Sequence, residues 1–236
     1  MARLAAGRTT QLSGQEIAAE LLRLFDEAGG EPSIRALATS LGVSPRAIYH
    51  YYETREQLVM AALDLVWDEV IADILSTIAD PVHDVGDPLD FFVLAGVATR
   101  RAFRRHRRLA MHIGMPSGPS ERLSGGLAII GSAFEQLGLT GERAGLALFT
   151  YTTFLLGSVI LDANRWSART DAERAAARDD AEAHALVPDD APAVSEVTFR
   201  AIDQVLAGGE RDPEEDEAMF AAGLRALLQG FLVDPS

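Results

Sequence analysis

SIRALATSLGVSPRAIYHYY, residues 33–52, decides the fold. Ala38 is small at the point where two helices must cross closely. Gly42, four residues on, suits a turn that needs a positive φ at low cost. Ile48 follows six residues later and joins Leu37, Leu41 and Val43 as the wedge between the helices. Ser33 and Ser44 stand at N-cap positions. Pro45 takes the first position of the second helix, where its missing N–H costs nothing. Caps, turn and apolar spacing agree on a helix-turn-helix.

That motif implies contact with DNA through its second helix. On a 100°-per-residue wheel Ile48 and Tyr52 point to the core, and Arg46, Tyr49 and His50 point away. Arg46 can fork onto guanine O6 and N7, and His50 can donate to a base acceptor one turn later. Ser44 and Pro45 open this helix, and the hydroxyls of Ser44, Tyr49 and Tyr51 suit phosphates, which set register without reading sequence. Arg55, near the start of the next helix, is expected to add a phosphate anchor. Arg3 and Arg8 read as a tail.

Charge qualifies this reading. The 236 residues carry a net charge of −14, with 21 basic residues, every one an arginine. Residues 1–60 hold six arginines against seven acids, whereas the remainder holds 15 against 28. The acidity therefore lies beyond the motif and discourages non-specific DNA binding, which depends on phosphate neutralisation. The absence of cysteine excludes disulfides and thiolate metal sites and suits a reducing cytosol. The N-terminal residues lack the apolar stretch of a secretory signal, and no apolar run is expected to approach the length of a membrane span. A cytoplasmic protein without membrane contact is the expectation.

Strand signals are scarce and helix signals recur, so the fold class is all-α. A first helix is predicted after Ser13, with Glu16 as its capping-box partner and Ile17, Leu21, Leu24 and Phe25 as its stripe, stopped at Gly29-Gly30. A fourth, long helix is predicted from Thr54 or Arg55 to about Asp80, and another over roughly 88–110. After a break at 114–120, helices over 121–137 and about 141–166 are divided by Gly138. Residues 167–192 read as a connection, 194–206 as a helix ending before Gly208-Gly209. Asp212 should cap a last helix whose opening acids meet its positive dipole end. Residues 1–60 are thus expected to form the DNA-binding domain and 61–236 a second domain.

The stretch from Ser13 to Leu63, above all LATSLGVSPRAIYHYYETREQLV, resembles the tetracycline-repressor (TetR) family of bacterial regulators. Tyr52, Arg55 and Leu58 meet that family's pattern of aromatic, basic residue and leucine. Glu53 departs from it, standing where the family often has a polar or basic group. MHIGMP at 111–116, FLLGSVILD at 154–162 and MFAAGLRALLQGF at 219–231 are more loosely similar to the ligand domain of the drug-responsive repressors. The resemblance implies an all-α homodimer joined through the 141–166 helix and the last helix, with an effector cavity in the second domain.

The residues support the interface independently. Ala221, Ala222, Gly223 and Ala226 allow close approach on the last helix, as Gly145, Ala147, Gly157 and Ser158 do on the other. The cavity candidates are Trp67, Phe91, Met111, His112, Met115, Phe134, Tyr151 and Phe154. His112 matches a metal-binding histidine of the resembling repressors, but Leu161 stands where their acid is expected, so no metal or other cofactor is expected. The arginines 100, 101, 104, 105, 107 and 108, around Phe103 and His106, should pair with nearby acids. No nucleophile–base pair or phosphate loop marks an enzyme. The expected function is a ligand-responsive transcriptional regulator, most simply a repressor released from a palindromic double-stranded DNA operator by a small, largely apolar molecule. A helical DNA binder without effector is the first alternative and a helical enzyme the second.

Overall fold

The computed structural model describes residues 12–27, 31–80, 87–113, 120–167 and 213–232. Within them lie nine helices and no strand: α1 (Gly14–Glu27), α2 (Ile34–Leu41), α3 (Pro45–Tyr49), α4 (Arg55–Ala79), α5 (Pro88–Arg105), α6 (Arg107–Ala110), α7 (Glu121–Gln136), α8 (Gly141–Ser167) and α9 (Pro213–Leu232). Met115, the 167–192 connection beyond Ser167, the 194–206 helix, Gly29-Gly30, Gly208-Gly209 and Asp212 lie outside the described residues.

Local chemistry places the first four helices. The Ser13 hydroxyl accepts from the Glu16 N–H at 3.2 Å, while the Glu16 carboxylate accepts from the Ser13 N–H at 2.8 Å, completing the predicted capping box. Ser33 caps α2 by accepting from the Ala36 N–H at 3.1 Å. Gly42 ends it at φ 68°, with its N–H on the Thr39 carbonyl and the Val43 N–H on the Ala38 carbonyl, so both last-turn acceptors are satisfied. Ser44 caps α3, and Thr54 and Gln57 form a second capping box at the start of α4.

Two apolar clusters fill the interior. The first gathers Ile17, Leu21 and Phe25 of α1, Leu37 of α2, Ile48 of α3 and the first half of α4, and continues into Phe103 of α5, Leu109 of α6 and Val159 of α8. The boundary expected at residue 60 therefore runs through α4, and a single core crosses it. The second packs Phe92, Phe134, Tyr151, Leu155, Phe220 and Leu224 from α5, α7, α8 and α9. Ile74 of α4 touches both. α4 spans about 37 Å at 1.5 Å per residue, long enough to reach from one cluster to the other.

Two expectations need correction. The helix predicted over 88–110 breaks at His106, whose backbone leaves the helical region at φ −110° and ψ 47°. No proline or glycine marks the break. It seats the buried His106 ring between the Asp26 carboxylate of α1 at 2.9 Å and the Glu69 carboxylate of α4 at 3.1 Å. It also lets Arg108 donate to the Phe25 and Asp26 carbonyls, which the end of α1 leaves without helical partners. Secondly, α8 is long and apolar enough over Gly141–Ala163 to cross a membrane by length and composition. Scattered small and polar residues hide this from a search for an uninterrupted run. Its inner side, through Ala147, Tyr151, Leu155 and Val159, is packed within the fold.

α5 and α9 cross at Gly96. A Cβ built there would lie 2.5 Å from Leu224 Cδ2 and 3.5 Å from the Phe220 ring, and Leu224 is fully buried. Gly96→Ala gains up to about 1 kcal/mol of helix propensity but costs about 1–3 kcal/mol by overpacking. The net expectation is a melting temperature lower by about 2–4 °C. A higher value in thermal denaturation would show that the two helices pack less closely than this.

Candidate nucleic-acid interface

α3 is only five residues long, so its orientation depends on its anchors. Ile48 is buried in the first cluster, which fixes the rotation of the helix about its axis and leaves Arg46, Tyr49 and His50 in solvent. The exit from α3 is tied down twice. The Tyr52 hydroxyl donates to the Gly14 carbonyl at 2.9 Å, and the Tyr51 hydroxyl donates to the Leu12 carbonyl. The His50 ring meets Tyr51 edge to face at 5.6 Å.

These contacts divide the predicted DNA set. Ser44, Pro45, Arg46, Tyr49 and His50 lie exposed on or beside one short helix, as expected. Tyr51 does not serve as predicted. A phenol has one donor, a phosphate only accepts, and this donor is already given to Leu12. Arg55 is likewise engaged rather than free. Its Nη2 lies 2.6 Å and its Nε 3.2 Å from Glu31 Oε1, and its Nη1 donates to the Pro32 carbonyl at 2.9 Å.

Sorting the other arginines reveals a residue that the sequence reading missed. Arg23 pairs with Glu20 and Glu27, Arg122 with Asp68, and Arg225 with Asp87 and Asp90. Arg100 and Arg104 share Asp162 and Asp216, Arg101 takes Glu217, and Arg105 takes Glu69. Arg107, Arg108 and Arg143 are also engaged. Among the residues whose side chains are described, only Arg35 and Arg46 carry guanidinium groups without an ion pair or hydrogen bond. Arg46 opens α3, and Arg35 lies in the first turn of α2. In a chain of net charge −14, the free positive charge of the described part sits on the helix-turn-helix. No sequence pattern singles out Arg35, because a free cation is recognised only once every other partner is known.

Residues 17–62 match the family described as bacterial regulatory proteins, tetR family. The chain carries a tetR-family DNA-binding domain. No curated protein matches. Among solved structures, a possible TetR family transcriptional regulator from Streptomyces coelicolor A3(2) is 19% identical, covers 92% of this chain and 98% of its own, and superposes with a TM-score of 0.68. The S. coelicolor TetR family protein ActR, in complex with actinorhodin, is 22% identical over 95% of this chain and 97% of its own, with a TM-score of 0.68. BioQ with its double-stranded DNA operator is 21% identical over 67% of this chain and 90% of its own, at 0.56. At these identities the likeness concerns the fold: a tetR-family helix-turn-helix followed by a helical second domain.

The predicted effector set is not one wall. Trp67 belongs to the first cluster, edge to face with Phe103 at 5.1 Å. Phe91, Phe134, Tyr151 and Phe154 belong to the second. There Phe134 stacks on Phe92 at 4.2 Å, and Phe154 on Phe220 at 5.5 Å. Met111 is 44% exposed. His112 packs against Phe25 of the DNA-binding end at 5.3 Å, with Nε2 3.9 Å from Glu31. The loop containing Met111 and His112 turns towards α1 because the break at His106 redirects the chain. Among the described residues, no three His, Asp or Glu side chains converge as a metal site.

Proposed function

We propose that this chain is a tetR-family regulator, a homodimeric repressor released from a palindromic operator by a small, largely apolar effector, without a metal or other cofactor. The observation that carries the DNA side is the placement of the free arginines, Arg35 on α2 and Arg46 on α3. Arg46 and His50 read bases, while Ser44, Pro45 and Tyr49 meet the backbone. Residues 1–60 serve this function and residues 61–236 serve effector and partner.

The dimer reading is supported by exposed apolar residues along single helix faces. Leu146, Phe149 and Leu161 are exposed on α8, beside Gly145 and Gly157, and Met219 is exposed on α9 beside Ala222. Packing them against a second copy removes an apolar surface that single domains rarely leave in water. The effector reading is supported by the aromatic second cluster, where Phe91 and Phe154 are only partly buried. Its one buried hydroxyl, on Tyr151, is committed to the Phe92 carbonyl at 3.1 Å, and burial pushes that phenol up. Such a wall favours apolar ligands. The solved structures of ActR with actinorhodin and of BioQ with its operator DNA support both halves of the proposal.

Duplexes enriched from a random pool by the purified protein test this reading. The expected winner is an inverted repeat with half-site centres about 34–36 Å apart, one helical turn, or somewhat more. A non-repeated winning site overturns the dimer arrangement, and no enrichment overturns sequence-specific binding. Ligands that raise the melting temperature should release that duplex; ligands that bind without changing its affinity overturn the effector switch.

A further inference from the structure

The Arg55–Glu31 contact has the form of a phosphate contact already made. Two N–H groups of the guanidinium converge on one carboxylate oxygen, at 2.6 and 3.2 Å, and a third is held by the Pro32 carbonyl at 2.9 Å. The same converging donors grip phosphate oxygens in nucleic-acid complexes. The Glu31 side chain is 53% exposed and that of Arg55 28%, so approaching DNA meets the anion before the cation. The Arg55 bond holds the Glu31 carboxyl below its usual range, so the acid stays charged at neutral pH. Unlike Arg35 and Arg46, Arg55 is therefore neutralised in the DNA-free chain. The second domain reaches the same oxygen: His112 Nε2 lies 3.9 Å from Glu31 Oε1. Burial pushes the His112 imidazole down, which leaves the carboxylate to Arg55 at neutral pH.

We propose that Glu31 is an internal stand-in for a DNA phosphate, which occupies Arg55 in the free protein and must be displaced before Arg55 can anchor the backbone. The proposal rests on the DNA-binding reading and adds an autoinhibitory contact to it. Each phosphate newly neutralised adds about 0.9 to the slope of log affinity against log salt. Because Glu31 holds Arg55 back, that contribution is suppressed in the wild-type protein.

The test is a cycle of four proteins: wild type, Glu31→Gln, Arg55→Gln and the double variant. Each is titrated with the duplex enriched from the random pool, and with a scrambled duplex, over a series of salt concentrations. Glu31→Gln should tighten binding to both duplexes by about eightfold near 0.1 M salt and steepen the slope by about 0.9. In the Arg55→Gln background the same change should do neither. Unchanged affinity and slope on Glu31→Gln, or an equal gain without Arg55, overturns the proposal while leaving the DNA reading standing. Failure of all four proteins to bind either duplex overturns both. Thermal melting checks each fold, and Glu31→Ser repeats the experiment should Glu31→Gln melt early.

Discussion

Replacing Arg100 with methionine is expected to destabilise the protein by about 3 kcal/mol or more, the largest effect of any single change considered for this chain. Arg100 is buried, as are both of its partners. Its Nε lies 2.9 Å from Asp162, its Nη2 lies 2.8 Å from Asp216, and its guanidinium lies 4.9 Å from the centre of the Phe220 ring. Methionine fills much of the stem volume but takes a cation from both buried carboxylates, which Arg104, half-buried, also contacts. An uncompensated buried charge costs more than the pair itself contributes, which is why removal of one partner is so damaging. For a chain of this size the loss corresponds to a fall of roughly 6–12 °C in melting temperature.

The pH dependence gives the prediction a second edge. Burial pushes the Asp216 carboxyl up, but the Arg104 hydrogen bond and the charges of Arg100 and Arg104 outweigh it and hold the group below its usual value. Its contribution is therefore full above the unfolded value of 3.8 and is lost as pH falls through the lower folded value. Urea denaturation should show a constant gap between wild type and Arg100→Met near neutrality, narrowing in strong acid. A variant as stable as wild type at pH 7 would mean that water reaches these carboxylates.

The second large effect falls on DNA binding. Arg35→Ala and Arg46→Ala should each cost about 1–3 kcal/mol with the enriched duplex, and together about thirtyfold or more in affinity, since contacts on separate helices add. The two changes should differ in kind. Arg46→Ala should relax the choice of one base pair, whereas loss of a phosphate contact weakens all sequences alike. Melting temperatures should barely move, because neither side chain has a partner to lose. A double variant that binds the enriched duplex as tightly as wild type would remove the helix-turn-helix from the interface.

What could be seen in the sequence follows the range of the interactions. Ser33, Gly42, Ser44 and Pro45 act on backbone groups within four residues, so their chemistry announced the turn, and each appears in its expected role. Gly138, at φ 83°, separates α7 and α8 for the same local reason. The arginine cluster at 100–108 was expected to find acids, and Arg100, Arg101, Arg104 and Arg105 do, but they come from positions 69, 73, 162, 216 and 217. The bond that occupies the Tyr51 hydroxyl and the Glu31 contact that engages Arg55 were not visible because those partners lie 39 and 24 residues away. The break at His106 was invisible for a related cause: two carboxylates on α1 and α4 reward it, not any local breaker. Met111 and His112, named as cavity candidates, follow that same break, and His112 packs against Phe25 of α1.

The core that runs past residue 60 bears on how such a chain can diversify. Phe103, Leu109 and Val159 close the same interior as Ile17 and Leu37, and Arg108 terminates α1 from outside it. Grafting the first sixty residues onto a foreign sensor would leave an open cavity and an uncapped helix unless α5, α6 and α8 were refitted too. A change on the outer faces need not disturb that interior, whereas a change in the seam must be matched on both sides of residue 60.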